Sequence, residues 1–531
     1  MGAPPDLAAP PPRSGRWLAL AGFAAALGLF LFVGAKTTLV GVNSDAAIYL
    51  LRADHLAGND GGDTALATHL FANYAFPPLY SLVLAVAGGG STTPLRDYQI
   101  DAVLLAGAVI AAGLWARRAG LSDVTAIAAA ATLALTPMAM TVAMGVFSEP
   151  LYLLLSGVGF ALLAHERTGK PTPYAWYAAG ICLGLAATTR TVGLVGVLAV
   201  IASSWRRTSA LTTSGVAACA LAPSVLWSLY RSAHGWHHSY VDSVFAGGVA
   251  QAAHDLSSQL PINLRAVAYH GVRSFDLLGS GYAALGLGVL LLLALIGWAR
   301  RLRLYAADAL YCGLYLATIL LWPFPNDLPR FLLVMLPFLL GYAGLGATTL
   351  LQSVGSGRLA AIGPSAVALV CAGITLPTTL VIVSQIWHAR GTADADNTRL
   401  SAWYGYASQD EARHGVAYSV EVLRAIAAIA PAVPAAACVT ATMAEMVMLH
   451  TRRRSVHPPG IHASAADLHA TLAACPYVLL VRAQTFPTID YPYYYPSQRV
   501  APALRILLTV PAGAAQPVAI LAHYQAPLPL P

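Results

Sequence analysis

Asp45 and Tyr49 lie four residues apart in Asn43-Ser44-Asp45-Ala46-Ala47-Ile48-Tyr49, so a helix there puts a carboxylate and a phenol on one face. Arg52 and His55 extend that polar stripe. A carboxylate so placed can take a proton from a substrate hydroxyl. Asn43, Ser44 and Asp45 are also good helix N-caps, so read alone Asp45 is either a cap or a base. Two further segments carry chemistry-bearing residues. Phe76-Pro77-Pro78-Leu79-Tyr80 opens a short apolar run that ends in Gly88-Gly89-Gly90, and Phe147-Ser148-Glu149-Pro150-Leu151-Tyr152 places an acid at a helix start. There the helix dipole alone favours Glu149. Interface anchoring covers Tyr74 and Tyr80 as well as an active role does.

The elements that must position these residues are membrane helices. Of 531 residues, 57% are hydrophobic and 10% charged, with a mean hydropathy of +0.64. An ordinary soluble domain is about 25% charged. Apolar runs of about 20 residues recur, the length that crosses a ~30 Å hydrocarbon core. About eleven spans are expected, at 17–38, 98–116, 121–141, 147–164, 174–189, 191–205, 211–230, 278–298, 306–323, 331–351 and 359–383. The first follows Arg13 and Arg16 and is longer than a cleaved leader's core, so it reads as a retained signal-anchor.

Arginine placement orients the spans. With the N-terminus cytoplasmic, the inner loops hold Arg117-Arg118, Arg167 with Lys170, Arg206-Arg207, Arg300-Arg301 with Arg303, and Arg358. The loops 39–97 and 231–277 and the tail from about 384 then lie outside. The net charge of +7 therefore reflects loop clusters and gives no reason to expect nucleic acid as a partner. Two arginines break the trend: Arg190 in Thr188-Thr189-Arg190-Thr191 and Arg330 in Asp327-Leu328-Pro329-Arg330-Phe331, both on outer turns. An anionic partner would explain them, a phosphate or a carboxylate. The alternative is a structural ion pair with Glu149 or Asp327.

The organisation expected is a disordered leader (1–16), a membrane domain (17–384) and an outer α/β domain (385–531). In the tail, helical pieces at 416–430, 443–450 and 466–474 alternate with strand-like runs at 438–440, 477–481, 504–510 and 518–522. Cys438 and Cys475 fall there, and a disulfide between them is open in an oxidising compartment. Cys182, Cys219, Cys312 and Cys371 sit in spans as small apolar residues. His237 and His238 read as interface histidines rather than metal ligands, since adjacent histidines do not share a helix face. A divalent metal is not indicated, and no cofactor is expected.

In their order, these motifs resemble the GT-C membrane glycosyltransferases. The resemblance rests on Asp45-x-x-x-Tyr49, Phe76-Pro77-Pro78-Leu79-Tyr80, Ser148-Glu149-Pro150-Leu151, Thr189-Arg190, and Pro329-Arg330-Phe331 followed by Pro337. It covers about residues 15–350 and is nearest the protein O-mannosyltransferase and aminoarabinose-transferase branch. The segment 443–459, with Thr451-Arg452 before Pro458-Pro459, is similar to the terminal domain of bacterial members. The fold implied is an all-α polytopic membrane domain with a small C-terminal α/β extracytoplasmic domain. The activity implied moves a sugar, with inversion, from a polyprenyl-phosphate donor to an extracytoplasmic acceptor: a protein, a lipid or a wall polymer. Asp45 would be the general base, Arg190 and Arg330 would bind the donor phosphate, and Tyr49, Tyr80 and Glu149 would position the acceptor. The setting implied is a bacterial cytoplasmic membrane. Rival readings are a transporter or flippase for a lipid-linked glycan and an inactive scaffold of the same fold.

Overall fold

The computed structural model describes residues 44–59, 64–74, 76–136, 138–139, 142, 145–164, 171–236, 249–273, 281–322, 328–355, 357–389, 420–460, 463–482 and 494–525. The expected first span and the leader lie outside these residues, as do His237, His238 and Asp327. Three short helices come first: α1 (Ser44–Leu56), α2 (Thr64–Asn73) and α3 (Leu79–Val86). The bundle follows with α4 (Pro94–Arg118), α5 (Asp123–Leu135), α6 (Glu149–Leu163), α7 (Pro173–Ala187), α8 (Leu194–Arg207) and α9 (Ala210–Ala233). It continues with α10 (Val249–Arg273), α11 (Gly281–Arg303), α12 (Ala307–Leu320), α13 (Leu328–Ser353) and α14 (Gly357–Ala389). Each expected span from 98 onward falls on one of these helices. Five of them (α4, α9, α11, α13 and α14) are long and apolar enough to cross a bilayer, and α5, α6 and α12 are shorter apolar helices. The chain is a multi-pass membrane protein.

Local chemistry sets the helix starts. Ser122, Thr172 and Ser209 each cap a helix, accepting the N–H of Thr125, Ala175 and Thr212 respectively. Small residues then let helices approach. A Cβ added to Gly297 on α11 would lie 2.0 Å from the Tyr342 carbonyl oxygen of α13, and one on Gly346 1.9 Å from that of Leu293. That is the close backbone contact expected where apolar solvent supplies no hydrophobic drive.

The segment expected to connect the spans at 211–230 and 278–298 contains the 25-residue helix α10. Its polar residues, among them Gln251, Asp255, Ser258 and Gln259, hold its apolarity below that of a span, so a search for runs passes over it. Asn263 on α10 caps the far end of α12, its Nδ2 donating to the carbonyls of Leu320 at 3.0 Å and Trp322 at 2.7 Å.

The tail folds as a helix through 420–429 and a five-stranded mixed sheet. Its elements are β1 (Cys438–Ala441), α15 (Ala444–Thr451), β2 (Arg454–Val456), α16 (Ala465–Ala474), β3 (Tyr477–Val481), β4 (Leu504–Val510) and β5 (Ala519–Tyr524). The order is β2-β1-β3-β5-β4, with β1 parallel to β2 and β3, and β5 antiparallel to β3 and β4. Val439 sits opposite Tyr477, and Leu480 opposite Ile520. A disulfide joins Cys438 to Cys475.

Three apolar cores form among the described residues, the smallest of them within the terminal domain around Leu468, Leu472, Val478 and Leu480. The other two frame the site. One lies wholly within the bundle, around Trp115, Phe160, Tyr311, Phe338 and Tyr342. The other is shared: Ile48, Leu50 and Leu51 of α1 and Tyr80 and Leu84 of α3 are buried with Leu423, Ile426, Val439, Met446 and Val447 of the tail. Helix α1 therefore belongs to the core of the C-terminal domain.

Candidate functional site

The site forms where the bundle core and the shared core meet. Helix α1 is buried on its apolar sides and presents Asp45 and Tyr49 from one face, as their spacing requires. Arg52, one turn on, is fully buried and does not reach the site. Its guanidinium instead donates to the carbonyls of Phe76 (2.7 Å), Leu70 (2.9 Å) and Tyr74 (2.8 Å), and lies 4.6 Å from the Phe71 ring centre. It thereby fixes the entry to the Phe-Pro-Pro turn. The Leu79 N–H of that turn donates to the Thr188 carbonyl at 3.0 Å, joining it to the Thr-Arg turn before α8.

Four charges converge. Arg330, near the start of α13, donates to Asp45 Oδ2 at 2.9 Å and approaches Glu149 Oε1 at 3.6 Å. Arg190 meets Glu149 Oε1 at 2.6 Å and donates to Ser148 Oγ at 3.1 Å. Each guanidinium lies 5.0 Å from an aromatic ring centre, Arg190 over Phe331 and Arg330 over Phe147. Flat cation stacked on ring is a weakly hydrated arrangement suited to a dry rim. Glu149 is fully buried, and neither of its oxygens has a well-aligned hydrogen bond among the described residues. A buried polar group left that way calls for a ligand, an ion or a chemical role. Asp45 is the most open of the four, its side chain 18% exposed.

Tyr49 completes the pocket floor. Its hydroxyl shares a hydrogen bond with Ser148 Oγ at 3.1 Å, and its ring meets Tyr80 edge-on at 4.9 Å and Phe76 at 5.5 Å. Burial pushes the Tyr49 phenol up to about 12, and the Asp45 charge adds to that. It therefore stays protonated at any ordinary pH and serves as a hydrogen-bonding group.

The sequence expected Asp45, Tyr49, Tyr80, Glu149, Arg190 and Arg330 to act together, and the fold brings five of them into one cluster. Tyr80 stands one layer back, donating to Asp101 Oδ1 at 2.7 Å. The ion pair between Arg190 and Glu149, weighed as the alternative to an anion site, is present; Asp327 lies outside the described residues. Asp101 was missed. It is fully buried on α4 and accepts the Phe147 N–H at 3.0 Å, which anchors a turn where Val146 adopts φ 57. A β-branched residue there is strained, and such strain gathers at working sites. The signal was available: an acid inside an apolar span is a functional candidate by default. Ser148, which touches both Tyr49 and Arg190, was quoted only as part of its motif.

Among the described residues no group of three or more His, Cys, Asp or Glu is placed to hold a metal ion. What the cluster offers is a partly open carboxylate facing two fixed cations across a water-poor rim.

A sequence model of glycosyltransferase family 87 matches residues 74–324, a stretch holding Tyr80, Glu149 and Arg190. No curated protein matches the chain by sequence. Among solved structures, ArnT from Cupriavidus metallidurans bound to undecaprenyl phosphate is similar at a TM-score of 0.52 and 15% identity, covering 98% of this chain and 100% of that one. The oligosaccharyltransferase of Archaeoglobus fulgidus in its apo form follows at 0.46 and 12%, covering 88% and 70%. The Pmt1-Pmt2 protein O-mannosyltransferase complex of S. cerevisiae, bound to its sugar donor, matches at 0.28 and 19%, covering 44% and 37%. The fold is that of the GT-C membrane glycosyltransferases.

Proposed function

We propose that this GT-C protein is an integral-membrane glycosyltransferase that takes a sugar from a polyprenyl-phosphate donor and passes it, with inversion, to an acceptor hydroxyl or amine outside the cytoplasm. The observation that carries the reading is the convergence of Asp45, Glu149, Arg190 and Arg330 from four separate elements at one end of the bundle. Sugar transfer of this kind develops positive character on the anomeric carbon and negative charge on the departing phosphate. It needs a carboxylate on the acceptor side and fixed cations on the leaving-group side. Asp45 accepts the acceptor's proton. Arg190 and Arg330 hold the phosphate, sharing their charge with Glu149, which keeps both guanidiniums aimed inward when no donor is bound. Tyr49 faces the acceptor, and Tyr80, packed edge-on behind it, holds its ring in place. The solved relative that carries undecaprenyl phosphate supports a donor of that class. The Cys438–Cys475 disulfide supports an oxidising compartment for the C-terminal domain, and with it an extracytoplasmic site in a bacterial cytoplasmic membrane. The division into leader, membrane domain and terminal domain at about 16 and 384 belongs to the same reading.

The test is a strain whose chromosomal copy carries Asp45→Asn, with membrane levels of the protein checked by immunoblot. Loss of a general base lowers transfer by about 10²–10⁴-fold. Mass spectrometry should then show polyprenyl-phosphate sugars accumulating and one envelope glycan disappearing. Unaltered glycans at normal protein levels would reduce Asp45 to a helix cap and sink the mechanism.

A further inference from the structure

The helix that presents Asp45 is gripped at its other end by the C-terminal domain. Asp54 lies nine residues on, about 14 Å along α1, and is 1% exposed. Its Oδ1 accepts the Ser91 N–H at 3.1 Å and its Oδ2 accepts the Ser91 hydroxyl at 2.5 Å. Arg452 of the terminal domain reaches the same carboxylate, Nη1 to Oδ2 at 2.7 Å, and also donates to Ser91 Oγ.

The seat is built for this contact. Gly90 has φ 150, and a Cβ there would lie 2.3 Å from Asp54 Oδ1, so the Gly-rich turn is what admits the carboxylate. The Gly90 N–H donates to Asp97 Oδ1 at 2.8 Å, tying the turn to the start of α4. Arg452 itself ends α15 in the left-handed conformation, φ 57, which residues with side chains seldom adopt. Two more contacts flank it. His69 Nε2 meets the Ser455 carbonyl at 3.1 Å, and Glu445 on α15 is bonded to His457 at 2.8 Å.

We infer that Arg452 is a positioning residue for the reaction: through Asp54 it fixes where α1 sits along its axis, and so the distance from Asp45 to the arginines anchored in the bundle. The terminal domain is then a working part of the catalytic unit. This rests on the function proposed above. Helix α1 is buried in the core it shares with the terminal domain, whereas Arg190 and Arg330 extend from the turn before α8 and the start of α13. A slip at Asp54 is therefore passed to Asp45, and a misplacement of about 1 Å can cost about 10²-fold in rate.

The experiment uses the full chain in nanodiscs, with the polyprenyl-phosphate-sugar fraction from membranes of a deletion strain as donor. Arg452→Ala should lower kcat per folded molecule by about tenfold or more while the donor KM stays within about twofold, because the anion site is untouched. Arg452→Lys should restore most of the rate. Ser91→Ala, which keeps both charges, is the second variant and should show a smaller fall of the same kind. A normal kcat per folded molecule with only a lowered melting temperature would overturn the inference, as would a raised KM at normal kcat. No transfer by the unaltered protein would overturn the function and this inference with it; transfer indifferent to Arg452 and Ser91 would overturn the inference alone.

Discussion

Two buried ion-pair clusters occupy this bundle, and they are built differently. At one, Arg301 at the end of α11 grips Asp308 with Nε and Nη2, each at 2.6 Å, while Tyr342 donates to the same carboxylate at 2.9 Å. Both side chains are about 3% exposed. Tyr342 lies twelve residues, roughly 18 Å, along α13 from Arg330. At the other cluster Glu149 faces two guanidiniums without a well-aligned hydrogen bond among the described residues, and Asp45 opens toward solvent. The first is a closed fork whose geometry saturates the carboxylate. The second leaves both Glu149 oxygens and Arg190 Nε without a well-aligned hydrogen bond among the described residues. A pair made for stability is complete in itself, whereas a site must be incomplete until its ligand arrives.

The contrast breaks if the clusters respond alike to mutation. The largest effect falls on the closed pair. Asp308→Ala strands a buried guanidinium and should destabilise the protein by about 3–5 kcal/mol, read as a lower melting temperature in detergent, with transfer per folded molecule unchanged. A selective loss of transfer would erase the distinction. Arg190→Ala comes next. It should raise the donor requirement and cost about 2.7–4 kcal/mol in kcat/KM, by analogy with a lost oxyanion donor. Pairing it with Glu149→Gln should recover stability and leave transfer lost; recovered transfer would mean that Arg190 serves only to neutralise Glu149. Tyr49→Phe sharpens the picture with the smallest effect, about 0.5–1.5 kcal/mol for one neutral hydrogen bond. Because burial holds the Tyr49 phenol near 12, it is protonated below pH 10 in the folded and the unfolded chain alike. Its removal should lower the rate evenly from pH 6 to 9 and leave the profile's shape unchanged. A lost alkaline limb in that range would assign it a proton-transfer role.

Both clusters are charged residues in a sequence only 10% charged, and that is why so much was legible. Helices from 98 onward were legible because sustained apolarity is a constraint no single residue can disguise, and five of them are long and apolar enough to cross a bilayer. Arg190 and Arg330 stood out because each sits alone on a short turn between apolar runs, away from the paired basic clusters. In the tail, the strands at 438, 477 and 504 were located by short apolar runs between prolines. Helix α10 gave no signal of its own because its polar residues keep it from the sustained apolarity of a span. Asp101 carries no motif of its own, and only the fold brings its carboxylate to the Phe147 N–H, 46 residues away.

The sequence by itself determined that this is a membrane bundle with a small sheet domain, and which acids and arginines are costly enough to need a purpose. Composition and period suffice for that, since burial and solvent act on each segment separately. Only the tertiary structure decided that Asp45 faces Arg330, that the Arg52 guanidinium serves the backbone, and that α1 is packed into the terminal domain's core. Those facts join residues as far apart as 45 and 330, or 54 and 452. Contacts over such separations depend on how whole elements pack, which no local pattern encodes.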